Sequence, residues 1–228
     1  MARRGGRRKA GGGPPSVAPP PGPPPGAARI GGVGCLVAVL LVLLGVSVGL
    51  NVYLLQQLRL QPVPAGSVKV VPVLDDDYLE AVLPVIKGAK RSIHVIMFSA
   101  RFYERYPGSP TNRLLRALAD AASRGLDVRV VLEHSRGWNE ENARENRETG
   151  EWLEERGVDV RYDPPGRTTH DKLIIVDGRW VVVGSTNWSY HALTKNHEAS
   201  VLIESPEVAA RFETYFEQVW REATDTPR

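Results

Sequence analysis

The chain has 228 residues, enough for one ordinary domain plus appendages, and its single cysteine, Cys35, excludes an intrachain disulfide. The formal charge of +3 is unevenly spread: residues 1–66 hold seven Lys/Arg and no acid, which leaves 22 basic against 26 acidic residues, a net of −4, in 67–228. That balance excludes a nucleic-acid binder by bulk charge, although a local basic groove is compatible with it.

Residues 1–28 combine Arg3, Arg4, Arg7, Arg8 and Lys9 with glycine and a proline run. Nothing there can bury a core, so a disordered tail is expected, its charges topogenic or, alternatively, a polybasic nucleic-acid patch. Residues 30–58 contain no charged side chain. The apolar run exceeds the ~20 residues that span a bilayer, and no polar face interrupts it, so 29–55 is expected to be a transmembrane helix. Basic residues concentrate before it, which puts the N-terminus in the cytoplasm and the domain that follows outside it. A cleaved signal peptide, with Val63-Pro64-Ala65 as cleavage site, is the competing reading. Gly45 and Gly49 form a G-x-x-x-G that permits close helix pairing.

A polar linker is expected over 56–67 and one globular domain over 68–224. Residues 68–74 alternate as a strand. Asp75-Asp76-Asp77 then fit the cap of a helix over 78–88, or a metal site for which no partner ligands are visible. Further strands are expected over 92–98, 126–132 and 158–162. An amphipathic helix over 114–124 ends at Gly125, and a charged helix over 139–156 ends at Gly157. Pro164-Pro165-Gly166 is a loop. After Asn187 comes a polar loop holding His191, His197 and Glu198, then a strand over 199–204 and a closing helix over 206–220. Strands alternating with helices argue for an α/β layered domain.

Between that loop and Asn187 lies a hairpin. Asp177-Gly178 separates two apolar runs, and a type I′ turn needs φ > 0 at both central residues. If Val176 pairs with Arg179, His170 faces Ser185 and Lys172 faces Val183. Side chains two apart share a face, so His170, Lys172, Ser185 and Asn187 would converge at one end, with Leu173, Ile175, Trp180 and Val182 on the opposite, apolar face. Imidazole, ammonium, hydroxyl and amide gathered beside a buried sheet suit an oxyanion, above all a phosphate.

His170, Lys172, Asp177, Gly184, Ser185 and Asn187 form the pattern H-x-K-x4-D-x6-G-S-x-N, which resembles the HKD signature of the phospholipase D superfamily. The resemblance covers roughly residues 70–220. It implies a mixed β-sheet flanked by helices and a metal-independent phosphodiesterase without cofactor. His170 would be the nucleophile, forming a phosphohistidine, while Lys172 and Asn187 would stabilise phosphate charge, with Ser185 either bonding the site or ending the strand. Asp177, which carries the motif's name, is counted with His170, Lys172 and Glu198 as catalytic, yet its position fits a turn aspartate, a structural role being favoured over direct chemistry. Glu198 stands where single-motif relatives carry a glutamate that holds the nucleophilic histidine. With only one motif, the chain is similar to members that dimerise and share one active site, the second His170 acting as acid. His94, His134, His191 and His197 lack the motif. The membrane anchor favours phospholipid of the phospholipase D or cardiolipin type as substrate. An endonuclease using Arg101, Arg105 or Arg167 in a basic groove is the rival, and an inactive membrane-tethered binding protein the third reading.

Overall fold

In the computed structural model of the protein, residues 32–59, 68–134, 139–164 and 166–225 are described. The expectations for the 1–28 tail and for most of the linker lie outside those residues. The chain divides into two units, 1–61 and 62–228.

The first unit contains helix α1 (Gly32–Arg59), 28 residues long. Its segment Leu36–Tyr53 has a mean hydropathy of 2.4, and none of it is buried. At ~1.5 Å per residue the helix is long and apolar enough to cross a membrane. Its one amide there, Asn51, turns inward and donates to the Ser47 carbonyl at 2.8 Å.

The second unit is a mixed seven-stranded sheet: β1 (Lys69–Leu74), β2 (Ser92–Met97), β3 (Asp127–Leu132), β4 (Asp159–Tyr162), β5 (Lys172–Val176), β6 (Trp180–Gly184) and β7 (Ala199–Glu204). The strand order is β1-β7-β6-β5-β2-β3-β4. β2, β3 and β4 run parallel, and the remaining pairings are antiparallel. Helices α2 (Tyr78–Lys87), α3 (Pro110–Ser123), α4 (Glu140–Glu154), α5 (Tyr190–Thr194) and α6 (Pro206–Glu222) complete the domain. Ile174, Val176 and Val182 share one core with Val82, Leu118 and Leu153, whereas Leu173, Ile175 and Val181 share the other with Ala209 and Phe216 of α6. The central strand β5 is thus buried on both faces, as its unbroken apolar run Leu-Ile-Ile-Val requires.

Two helix starts follow from local chemistry. Ser109 accepts from Asn112 N and Pro110 opens α3, four residues before the start read from periodicity. Ser205 caps α6 in the same way. The three aspartates before α2 do not cap it: no side chain accepts a capping bond, and Asp75 reaches across to Glu198 instead. The expected polar loop after Asn187 contains the short helix α5, capped by Ser189.

The hairpin register differs from expectation by one residue. Asp177 (φ 56°) and Gly178 (φ 58°) do form the left-handed turn, closed by Arg179 N on the Val176 carbonyl at 3.0 Å. Val176, however, pairs with Trp180, and Leu173 with Val183. Arg179 is drawn out of the ladder: its carbonyl accepts from Ser205 N and its guanidinium binds Glu204. The extra residue means that Leu173 and Ile175 share a face with Val181 and Val183, not with Trp180 and Val182, and Lys172 does not face Val183.

Gly184 ends β6 where it crosses Ser200 of β7, and a Cβ there would lie 2.4 Å from the Ser200 Cα and 2.5 Å from the Ala199 carbonyl oxygen. Both obstacles are backbone and cannot swing away. Gly184→Ala is therefore expected to destabilise the domain by about 1–3 kcal/mol, read as a lower urea midpoint with unchanged slope.

Candidate active site

Antiparallel pairing sets the start of β5 beside the ends of β2 and β6: Lys172 pairs with Met97, and Phe98 N donates to the Asp171 carbonyl. His170 and Lys172 therefore lie at the same end of the sheet as Ser185 and Asn187, which follow the last residue of β6, although the observed register does not set His170 opposite Ser185.

His170 is exposed, and its ring meets the Phe98 ring at 4.6 Å, tilted by 51°. Lys172 is 6% exposed. Its Nζ donates to the His170 carbonyl at 2.8 Å, lies 3.4 Å from His170 Nδ1 and sits 4.8 Å from the centre of the Phe98 ring. Burial pushes the Lys172 ammonium below its usual pKa, against the opposing charges of Asp171 and Glu198. Asp171 is held by Tyr215, whose hydroxyl donates at 2.9 Å; burial and that bond raise the Tyr215 phenol to about 12. An ammonium with one backbone acceptor, over an aromatic face, keeps donors for a phosphate oxygen.

Glu198 is half-buried, and its carboxylate accepts from Ser185 Oγ and from Asn196 Nδ2 at 3.1 Å. No hydrogen bond joins it to His170 within the chain, although its charge acts on Lys172. The Ser185 hydroxyl also accepts from Ala199 N at 3.0 Å, so it ties the end of β6 to the start of β7. The Asn187 side-chain carbonyl is buried without a hydrogen-bond partner. A half-turn of that amide presents either a donor or an acceptor at the same place.

Other residues brace this end of the sheet, in roles that the sequence reading does not assign to them. Asp75, in a left-handed conformation (φ 47°), accepts from Glu198 N at 2.9 Å while its own N–H donates to the Glu198 carbonyl at 2.9 Å. Asp163 accepts from Thr169 N at 2.7 Å and from His134 N at 2.6 Å, fixing the approach to His170. Burial raises the Asp163 pKa and those two N–H groups oppose the shift. Asn142 and Asn146 both donate to the Phe98 carbonyl, Asn146 also accepts from Ala100 N, and Thr149 donates to the Ala100 carbonyl. Spaced three and four apart on α4, these polar residues form the buried face of a helix that reads as merely charged. That spacing was the available signal.

Asp177 stands at the opposite end of β5. Its carboxylate accepts from Lys90 N at 2.9 Å, Arg91 N at 2.7 Å and Ser92 N at 3.1 Å, which fits the turn role and not contact with a substrate at His170. His94 lies against α6, stacked on Phe216 and bound to Glu213 at 2.6 Å. His197 meets Asp75 at 3.3 Å. Among the described residues, no three His, Cys, Asp or Glu side chains gather in a way that could hold a metal.

A family model described as cardiolipin synthase, PLD-like domain, matches residues 82–220. The mitochondrial cardiolipin hydrolase of Xenopus laevis is 29% identical over 147 residues, 64% of this chain and 63% of that protein. The chain thus spans less than two thirds of that relative's length. A phospholipase D of Rickettsia conorii is 31% identical over 96 residues, 42% of this chain and 45% of that one. Among solved structures, Nuc of Salmonella typhimurium, a phospholipase D family member, superposes with a TM-score of 0.60 at 28% identity, covering 71% of this chain and 100% of that one.

The placement of Asp177 carries a stability prediction. Asp177→Ala removes the acceptor of three backbone N–H groups and leaves an alanine in left-handed conformation, for an expected loss of about 2–3 kcal/mol. Asp177→Asn, which tolerates that conformation, should recover part of it; urea denaturation of both variants gives the comparison.

Proposed function

We propose that this chain, which belongs to the phospholipase D-like family, is a membrane-anchored, metal-independent phosphodiesterase that hydrolyses phospholipid through a phosphohistidine. The observation that carries the reading is the buried Lys172 ammonium beside the exposed His170 ring.

A ring nitrogen of His170 forms the N–P bond as the P–O bond to the alcohol breaks, and the departing oxygen takes a proton from a second imidazole. Water then attacks phosphorus and gives its proton to that imidazole, now neutral. The N–P bond breaks, leaving a phosphate monoester and free His170. Lys172 and the Asn187 amide balance the charge that grows on the non-bridging oxygens. Glu198 acts through Ser185 and through its charge on Lys172 and, in the assembled site, is available to the ring.

The second imidazole is His170 of another copy. Among the hydrogen bonds of the described residues, none joins another histidine to His170, and His94 is stacked and bonded elsewhere. The homodimer shares one site between two HKD motifs. The domain spans 68–224 and follows the α1 anchor, with the N-terminus on the cytoplasmic side and the domain on the other, because the basic residues precede the apolar run. The names of the curated relatives and the net −4 of 67–228 favour lipid over long polyanions.

The test is product release by the full chain in EDTA from vesicles of cardiolipin or phosphatidylglycerol, with single-stranded DNA in parallel. His170→Ala is expected to lose more than about 10³-fold of the lipid activity. DNA cleavage with both lipids inert would reassign the substrate.

The pH profile gives a second check. Burial lowers the Lys172 pKa, so as the pH rises its positive charge is lost before the usual lysine range of about 10.4 is reached. Loss of the proton on the acid imidazole also lowers kcat/KM as the pH rises, and loss of the Lys172 charge should add a further alkaline limb there. Lys172→Arg, charged throughout, should lack that limb in whatever activity it retains.

A further inference from the structure

A cleft of about 830 Å³ opens along the segment that leaves β2, lined by Arg101, Tyr103, Arg105, Tyr106, Tyr190 and His191 among others. Its volume is that of a site for a small molecule or for part of a lipid. It begins close to the active centre: Arg101 is three residues beyond Phe98, whose ring meets His170, and three residues of chain span at most about 11 Å. The other wall, Tyr190 and His191, starts three residues beyond Asn187.

The cleft is built, not incidental. Asn112, fully buried, accepts from Tyr103 N at 2.9 Å and donates to the carbonyls of Tyr103 at 2.8 Å and Tyr106 at 3.1 Å. Tyr103 in turn accepts at its hydroxyl from Tyr190 N at 3.1 Å, joining the two walls. Arg101 N donates to the Trp188 carbonyl at 2.9 Å. This frame holds a lining with three tyrosines whose basic groups differ in availability. Arg101 is paired with Glu145 at 2.6 Å. Arg105 makes no ion pair among the described residues, and His191 has only the edge of Tyr190 beside it.

An apolar trough that begins beside the phosphate site at His170 and holds a guanidinium with no ion pair among the described residues suits a ligand with two phosphates and acyl chains. We propose that the cleft receives the second phosphatidyl group of a two-phosphate phospholipid such as cardiolipin, Arg105 holding the phosphate that is not attacked while the first lies at His170 and Lys172. This rests on the phospholipid reading and names the substrate class within it.

The experiment uses the full chain reconstituted in phosphatidylcholine vesicles that carry either cardiolipin or phosphatidylglycerol, which has one phosphate. Arg105→Ala is expected to lower kcat/KM on cardiolipin roughly tenfold, the loss of one charge-assisted contact, and to change phosphatidylglycerol hydrolysis less than about twofold. Arg105→Lys should restore most of the loss. Retained phosphatidylglycerol activity shows that the variant is folded. Equal loss on both lipids, or none on cardiolipin, would overturn the inference and leave the phospholipid reading standing. Cleavage of single-stranded DNA with both lipids inert would remove that reading and the inference with it, making the cleft a place for a nucleobase.

Discussion

The domain depends on keeping one lysine charged where water scarcely reaches. Lys172 opens a strand buried on both faces, so its stem is committed to the core and its ammonium can only reach the sheet edge. Desolvation disfavours the charge, and the surroundings return part of the loss through the His170 carbonyl, the Phe98 ring and the negative charges of Asp171 and Glu198. These partners are weak or distant, because none is a directly bonded carboxylate. A phosphate oxygen would be a stronger partner for such a lysine than any of these.

Holding these groups in place needs a stiff frame, and the frame is polar. Phe98, which carries both the aromatic face under Lys172 and the contact with His170, is fixed through its carbonyl by Asn142 and Asn146. Asp163 pins Thr169, immediately before His170, and Asp75 pins Glu198 from the far side of β7. The catalytic edge is held by side-chain bonds to loop backbone because strand ends leave N–H and C=O groups that the ladder no longer satisfies. Removing a brace is costlier than its single bond suggests, since the group it leaves behind is buried.

Much of this was legible in the chain, for a physical reason: strand alternation, capping residues and turn glycines act locally. The seven strands and the left-handed turn at Asp177-Gly178 follow from neighbours in sequence. The hairpin register did not, because the residue that shifts it, Arg179, is drawn out by Ser205 and Glu204 on the adjoining strand, some 25 positions along. Asp75 was read as a cap for the helix beside it, yet its partner is Glu198. The start of α3 was readable in Ser109-Pro110 and was missed because apolar periodicity begins only at Leu114. Periodicity reports which face is buried. It does not report where polar side chains such as Asn112 and Asn146 turn inward to hold a loop.

The position of the motif aspartate separates fold from chemistry within one signature. Asp177 accepts from three consecutive N–H groups leading into β2, and β2 ends at Met97, next to Phe98, so the aspartate sets the height of the strand whose far end leads to the aromatic wall of the site. A residue a whole strand away from His170 therefore belongs to the signature through register: β2 and β5 are paired antiparallel, and anchoring them together at the turn fixes the alignment of Met97 with Lys172 at the other end. The spacing from His170 to Asp177 is one strand and its turn. That spacing needs no chemistry beyond that of holding two strand ends level.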